Sequence, residues 1–316
     1  MTDFATPKQL ADRTAAAVEA AVTAGRELGL TVTDARVLHD VFSVVVHLAP
    51  APVVARVPTV LPESTDLLAL ARRQREELAV TRWLADRGTP VVPPSPLVPA
   101  EPVQRGGFSM TFWEFLEEDR EAEPDYARNA ELTAELHAAL RDYPGELPFL
   151  SAAEPDYVED SLAALEGRTD LIDPALLERA RREWEVLGPL VRSRAAFEEA
   201  FPGAELQPVH GDCPPANIFQ GVDGHRFADF ELITLGPAEW DLASLGAELG
   251  AAYDRGARHH GLRPLDPRVQ RFVDAVGMLR VVATLTLVPQ LPVLADYLKP
   301  ALEQWPTMPF AGGLAD

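Results

Sequence analysis

The sequence predicts an α+β chain of two lobes: a small N-terminal lobe of antiparallel sheet plus helix, then a larger, mostly helical C-terminal lobe. Three observations carry this. The β-branched runs Val37-Leu38, Phe42 to Leu48 and Val53 to Val57 are separated by polar or proline-containing turns, as in a three-stranded antiparallel meander. Phe108 to Leu116 is apolar and aromatic, a further strand. Most of the chain beyond Leu116 has helical character, with one strong hairpin signal at Asp223-Gly224.

In chain order, Pro7 to Gly29 is rich in Ala, Glu and Arg, unbroken until Gly25, and reads as a helix. The meander comes next, and Pro58 ends its third strand. From Ser64 to Asp86 the period is helical again, with Leu67, Leu70, Leu78 and Leu84 among Arg and Glu, and Gly88 as a stop signal. Val91 to Pro102 is proline-dense and reads as an irregular connection. After the aromatic strand, the acidic run Glu117, Glu118, Asp119, Glu121, Glu123 marks a solvated boundary. Helix is expected over Asn129 to Leu140 and over most of Pro155 to Phe201. A hairpin joins Ile218-Phe219 to Phe227-Ala228, and helix dominates from Leu242 onward. The lobes are divided at the aromatic strand, as residues 1–113 and 114–316.

Composition excludes several functions. The 28 basic and 49 acidic residues give a net charge of −21, which disfavours nucleic-acid phosphates and anionic membrane surfaces. With 24% charged and 47% hydrophobic residues the chain is globular rather than disordered. Its one cysteine, Cys213, leaves no intramolecular disulfide and no multi-cysteine zinc site. Met1-Thr2-Asp3-Phe4 does not open a signal peptide, and Val276 to Leu298 is too interrupted for a membrane span, so a cytoplasmic location is expected. Only Lys8 and Lys299 are lysines, so a mechanism that needs a lysine has two places to find one.

The chemistry concentrates in Val209-His210-Gly211-Asp212-Cys213-Pro214-Pro215-Ala216-Asn217-Ile218-Phe219, with Asp229 in Phe227-Ala228-Asp229-Phe230-Glu231 and Asp241 in Trp240-Asp241-Leu242-Ala243. The hairpin after Asn217 folds the chain back, bringing Asp229 toward the edge that carries Asp212 and Asn217. Two carboxylates and an amide oxygen are hard donors, suited to Mg²⁺ rather than zinc. An aspartate before a turn often only caps backbone, which is how Asp212 alone would be read; the combined spacing argues for more.

This block resembles the catalytic and metal loops of the aminoglycoside phosphotransferase / choline kinase family, which is similar in fold to eukaryotic protein kinases. His210, Gly211, Asp212, Pro215 and Asn217 match the family's His-Gly-Asp-x-x-Pro-x-Asn. Asp229, Phe230 and Glu231 match its Asp-Phe/Trp-Glu, and Asp241, Leu242 and Ala243 its Tyr-Asp-Leu-Ala, with Trp240 in place of Tyr. The resemblance implies a bilobal protein-kinase-like fold, with a nucleotide-binding N-terminal lobe and a C-terminal lobe for catalysis and acceptor binding. It implies transfer of the γ-phosphate of ATP, GTP not being excluded, to a hydroxyl of a small molecule such as an amino sugar, an antibiotic or an amino alcohol.

The implied roles stem from a loose transition state that is stabilised by positioning and charge. Asp212 would accept or orient the acceptor's hydroxyl proton, and Asn217 and Asp229 would hold Mg²⁺. His210 would brace the loop, and Asp241 would anchor it. A kinase of this fold expects a cation on the third strand paired to a helix glutamate. With both lysines far from that strand, the role falls to Arg56 in Val53-Val54-Ala55-Arg56-Val57. The following helix resembles the family's Glu-x-x-x-x-x-Trp-Leu pattern, which implies Glu77 as the partner of Arg56 over Glu76. Backbone groups of Glu114 and Leu116 would hold an adenine edge. Ser43 stands where the family's phosphate turn carries Asn, in a turn, His39 to Ser43, that lacks the usual glycine. His137, in Leu136-His137, is expected to be structural, and Cys213 to be a packing residue. A cationic acceptor would be steered by the acidity, although carboxylates lie in nearly every segment. The alternatives are a nucleotide-binding, non-catalytic protein of the same fold and a metal-dependent hydrolase built on the same carboxylates.

Overall fold

The computed structural model describes residues 4–62 and 65–314, so Met1 to Asp3 and Ser64, named above, lie outside the described residues. The fold is bilobal, α+β and protein-kinase-like. The chain folds as two compact units. The first holds residues up to Ala122, with Phe219–Glu231 and Pro289–Pro292; the second holds Glu123–Ile218, Leu232–Val288 and the residues from Val293 onward.

In the first unit, α1 (Pro7–Glu27) starts at a capping box in which Thr6 and Gln9 satisfy each other's backbone N–H, with Pro7 in the first turn. The strands β1 (Arg36–Asp40), β2 (Ser43–His47) and β3 (Val53–Pro58) form the expected antiparallel meander. Helix α2 (Leu67–Ala85) is capped by Asp66, whose side chain accepts the N–H of Leu68. The strands β4 (Val103–Arg105) and β5 (Phe108–Glu114) complete a sheet of order β1-β2-β3-β5-β4. The sequence reading lacks β4; its signal is Gly106-Gly107, both at positive φ, which turns the chain straight into β5.

One face of this sheet buries Val44, Val46, Val53, Ala55, Val57, Met110 and Phe112 against Ala17, Ala20, Ala21 and Ala24 of α1. The alanines let the helix backbone approach closely, and each buried valine contributes at most about 1.5–3 kcal/mol. The opposite face carries Val54 and Trp113, which pack with Leu78 of α2. The segment Pro289–Pro292 is tied to this unit by Ala5 N–H, which donates to the Pro289 carbonyl, and by Gln290 Nε2, which donates to the Leu61 carbonyl.

The second unit contains α3 (Tyr126–Leu140), α4 (Pro155–Ala164), α5 (Pro174–Arg192), α6 (Arg194–Ala200), α7 (Gly246–His259), α8 (Pro267–Thr284) and α9 (Leu294–Gln304). Helix α3 begins three residues earlier than expected, because Asp125 caps it through the N–H of Arg128. Strand β6 (Gln207–Val209) pairs antiparallel with β9 (Thr234–Gly236), a ladder too short to read from periodicity. Between them the chain runs through β7 (Ile218–Gly221) and β8 (Gly224–Phe227), the expected hairpin. Among the described residues no helix is long and apolar enough to cross a membrane.

Candidate active site

Alternation along β3 sends Val53, Ala55 and Val57 into the α1 face and leaves Arg56 on the other, beside α2. There Arg56 is 9% exposed and Glu77 is 1% exposed. Nη2 of Arg56 donates to Glu77 Oε2 at 2.8 Å and to Glu231 Oε2 at 3.0 Å, while Nη1 donates to Asp229 Oδ1. Burial works against the guanidinium charge, but Asp229, Glu77 and Glu231 together hold its pKa above the ordinary value. Burial also pushes the Glu77 carboxyl up, against the pull of Arg56. Glu76, its neighbour, is only half-buried. Removing one partner of such a buried pair strands the other. Arg56→Ala is therefore expected to lower unfolding stability by about 3–5 kcal/mol, with Arg56→Met/Glu77→Gln recovering part of it, both read from urea denaturation.

Arg56, Glu77 and Asp229 of this cluster line a cavity of about 240 Å³ within the first unit. Its apolar wall includes Leu38, Val45, Val54, Val92, Trp113 and Phe219, and its polar groups include Arg56, Glu77 and Asp229. Glu114 and Leu116 also line it. The strand end is fixed by Glu114 N–H donating to Pro93 O and Phe115 N–H to Pro52 O, each at 3.0 Å. Ser43 pairs across the sheet with Pro58 and is not part of the cavity wall. The turn before it is latched: the Phe42 carbonyl accepts the N–H groups of Thr59 and Val60 at 2.9 and 3.0 Å.

In the second unit, the loop after β6 is built around a buried carboxylate. Asp241 accepts the His210 N–H at 2.8 Å and the Gly211 N–H at 2.7 Å, while Trp240 Nε1 donates to the Gly211 carbonyl at 3.0 Å. Gly211 has φ +91°, and a Cβ built there would lie 1.9 Å from the Leu232 carbonyl oxygen. Gly211→Ala is therefore expected to destabilise the protein by about 3 kcal/mol or more, and unchanged urea unfolding would contradict this loop geometry. The Asp212 N–H donates to His210 Nδ1 at 3.3 Å. Asn217 Nδ2 donates to the Asp212 carbonyl and, at 3.4 Å, to Asp212 Oδ2. Both amide protons are thus engaged by Asp212, which leaves Oδ1 as the acceptor of that side chain. Burial, with Asp212 adding to it, pushes the Cys213 thiol up to about 12, which disfavours the reactive thiolate.

A family model described as the phosphotransferase enzyme family (APH) matches residues 61–272, two thirds of the chain. The chain belongs to this phosphotransferase enzyme family. Among solved structures it is similar to aminoglycoside 2′-phosphotransferase-IIIa in its GDP complex, at 13% identity and TM-score 0.59, covering 90% of this chain and 96% of that one. It is similar to a choline/ethanolamine kinase family protein from Mesorhizobium loti, at 17% identity and TM-score 0.57, covering 93% and 97%. It is also similar to aminoglycoside phosphotransferase APH(3″)-Id from Streptomyces rimosus with ADP and streptomycin, at 18% identity and TM-score 0.54, covering 82% and 98%. At these identities the likeness is one of fold. No curated protein matches the chain at a significant level.

Each unit of this phosphotransferase-family chain carries an oxygen donor of the kind a hard divalent cation takes. Asp229 offers a carboxylate in the first unit and Asn217 an amide oxygen in the second; among the described residues no group of three or more His, Cys, Asp or Glu could hold a metal ion.

Sequence reasoning had His137 as structural but missed Asn129, Thr133 and Tyr253, buried residues that hold the loop with it. Asn129 Nδ2 donates to the Pro215 carbonyl at 2.9 Å, and the Thr133 hydroxyl donates to the Asn129 carbonyl. His137 Nε2 meets Asp241 Oδ2 at 2.8 Å, and its Nδ1 meets Tyr253 Oη at 2.9 Å. A signal exists for α3: Asn129, Thr133 and His137 recur every fourth residue, a polar stripe on the buried face. Tyr253, on α7, has no such signal.

Proposed function

We propose that this chain is a Mg·ATP-dependent phosphotransferase that moves the γ-phosphate to a hydroxyl of a small molecule. The observation that carries the reading is the loop hooked onto Asp241, which fixes Asp212 beside an asparagine whose amide protons are already engaged. Membership of the phosphotransferase enzyme family supports it. So do the GDP in the aminoglycoside 2′-phosphotransferase-IIIa structure and the ADP in the S. rimosus structure.

In this reading, residues 1–113 hold the nucleotide and residues 114–316 supply catalysis and the acceptor site. Arg56, kept charged and positioned by Glu77, binds phosphate oxygens through its planar fork. Backbone groups of Glu114 and Leu116 bind the base edge, and Ser43 adds a hydroxyl near the phosphates. Asn217 and Asp229 supply oxygen ligands for magnesium. When bound, that ion would offset the negative charge of the β- and γ-phosphates. Asp212 orients the acceptor hydroxyl and accepts its proton as the P–O bond to the acceptor forms and the bond to the nucleoside diphosphate breaks. His210 and Asp241 hold the loop in place. The acceptor class is that of amino sugars, aminoglycosides and amino alcohols, with cationic members favoured by the net charge of −21. A cytoplasmic location accords with a nucleotide substrate.

The test is an ATP-consumption screen against aminoglycosides, amino sugars, choline analogues and sugar alcohols. At least one class is expected to raise consumption above the rate with water alone. A second reading, a nucleotide-binding but non-catalytic protein, is favoured by one observation: the glycine-free turn before Ser43 is latched through the Phe42 carbonyl. A flat screen together with tight nucleotide binding would support that reading instead.

A further inference from the structure

The loop that carries Asp212 is held by a chain of buried polar groups that reaches back to α7. The Asp241 carboxylate is fully buried. Three groups point at it: the His210 and Gly211 backbone N–H groups and Nε2 of His137. The two backbone groups can only donate. An ionised carboxylate can only accept, so the ring proton belongs on Nε2 of His137. That leaves Nδ1 to accept the hydroxyl of Tyr253 at 2.9 Å. Burial, with Glu239 and Asp241 adding to it, raises the pKa of this phenol above its ordinary value, so the hydroxyl keeps the proton it donates. The two rings meet edge to face, with centroids 5.4 Å apart. His137 and Tyr253 are 0% and 1% exposed, so no water competes for these bonds.

We propose that Tyr253 and His137 are positioning residues of this chain: the Tyr253 hydroxyl fixes the imidazole of His137, which aims Asp241 at the amides of His210 and Gly211 and so sets the place of Asp212. The inference rests on the phosphotransfer reading of Asp212. Asp212 comes directly after Gly211, so a rotation of the Asp241 carboxylate moves the reacting group itself. A misplacement of about 1 Å can cost roughly a hundredfold in rate. Neither residue belongs to the wall of the cavity in the first unit, so nucleotide binding is not altered. Helix α7 thereby sets the geometry of the catalytic loop.

Tyr253→Phe removes one oxygen and keeps the ring, so it is the softest probe. The expected result is a kcat for Mg·ATP turnover about tenfold lower, with the KM for ATP within about twofold of wild type. Amide hydrogen exchange over residues 209–217 should quicken by about tenfold, with the sheet of the first unit unchanged. His137→Gln, whose amide can still donate to Asp241, should keep about tenfold more kcat than His137→Leu. If His137→Leu does not fold, Tyr253→Phe alone decides. Wild-type kcat and wild-type loop exchange in Tyr253→Phe would overturn the proposal. Should the wild-type chain turn over no ATP with any acceptor or with water, the functional reading has failed. The exchange measurement then still tests the relay, quickened exchange supporting it and wild-type exchange overturning it.

Discussion

Asp212→Ala is expected to lower ATP turnover by about a thousandfold or more and to leave nucleotide affinity within about threefold of wild type. The separation of the two effects stems from where Asp212 sits. It lies on the loop of the second unit, while the cavity lined by Arg56, Glu77, Trp113 and Asp229 lies wholly in the first. Its side chain takes no part in the bonds to Asp241, which come from the His210 and Gly211 backbone. The backbone bonds that hook the loop onto Asp241 should therefore survive the substitution. Initial rates and calorimetric titration with ATP measure the two quantities. Unchanged turnover would remove Asp212 from the chemistry.

Asp229→Ala should act on the metal-dependent part of binding. Affinity for Mg·ATP is expected to fall by about a hundredfold, close to 3 kcal/mol, while affinity for metal-free nucleotide stays within about threefold. In the structure Asp229 is one of three carboxylates on Arg56. Its removal leaves Glu77 and Glu231 in place, so the guanidinium remains paired and the fold should hold. The contrast with Arg56→Ala is diagnostic. That variant strands buried Glu77, loses stability, and raises the KM for ATP with or without changes in magnesium. Calorimetry across a magnesium series separates the two cases.

Much of this architecture can be read locally. The meander shows as β-branched runs, and the loop from His210 to Asn217 as a dense run of chemistry-bearing residues. The pairing of Arg56 with Glu77 rests on alternation along one strand plus the helix's resemblance to the family's Glu-x-x-x-x-x-Trp-Leu pattern, both read over a short stretch of chain. What escaped the sequence was set by long-range contact. Glu231 reaches Arg56 across 175 residues of chain, Tyr253 reaches His137 across 116, and Asn129 reaches Pro215 across 86. No local period announces such partners, because buried polar groups choose each other by satisfaction in the packed state. The β6–β9 ladder escaped for a related reason: a pair of three-residue strands carries too few side chains to show alternation. Strand β4 is equally short, and the proline-dense stretch before it masks the turn signal of Gly106-Gly107.

The most direct measurement of the central claim is mass spectrometric detection of a phosphorylated acceptor after incubation with Mg·ATP, run in parallel on wild type and Asp212→Ala. Transfer chemistry at Asp212 predicts a phosphorylated product from at least one hydroxyl-bearing acceptor, dependent on magnesium and absent with the variant. Wild-type protein that binds Mg·ATP but yields no phosphorylated product, or a product formed equally by Asp212→Ala, would contradict it.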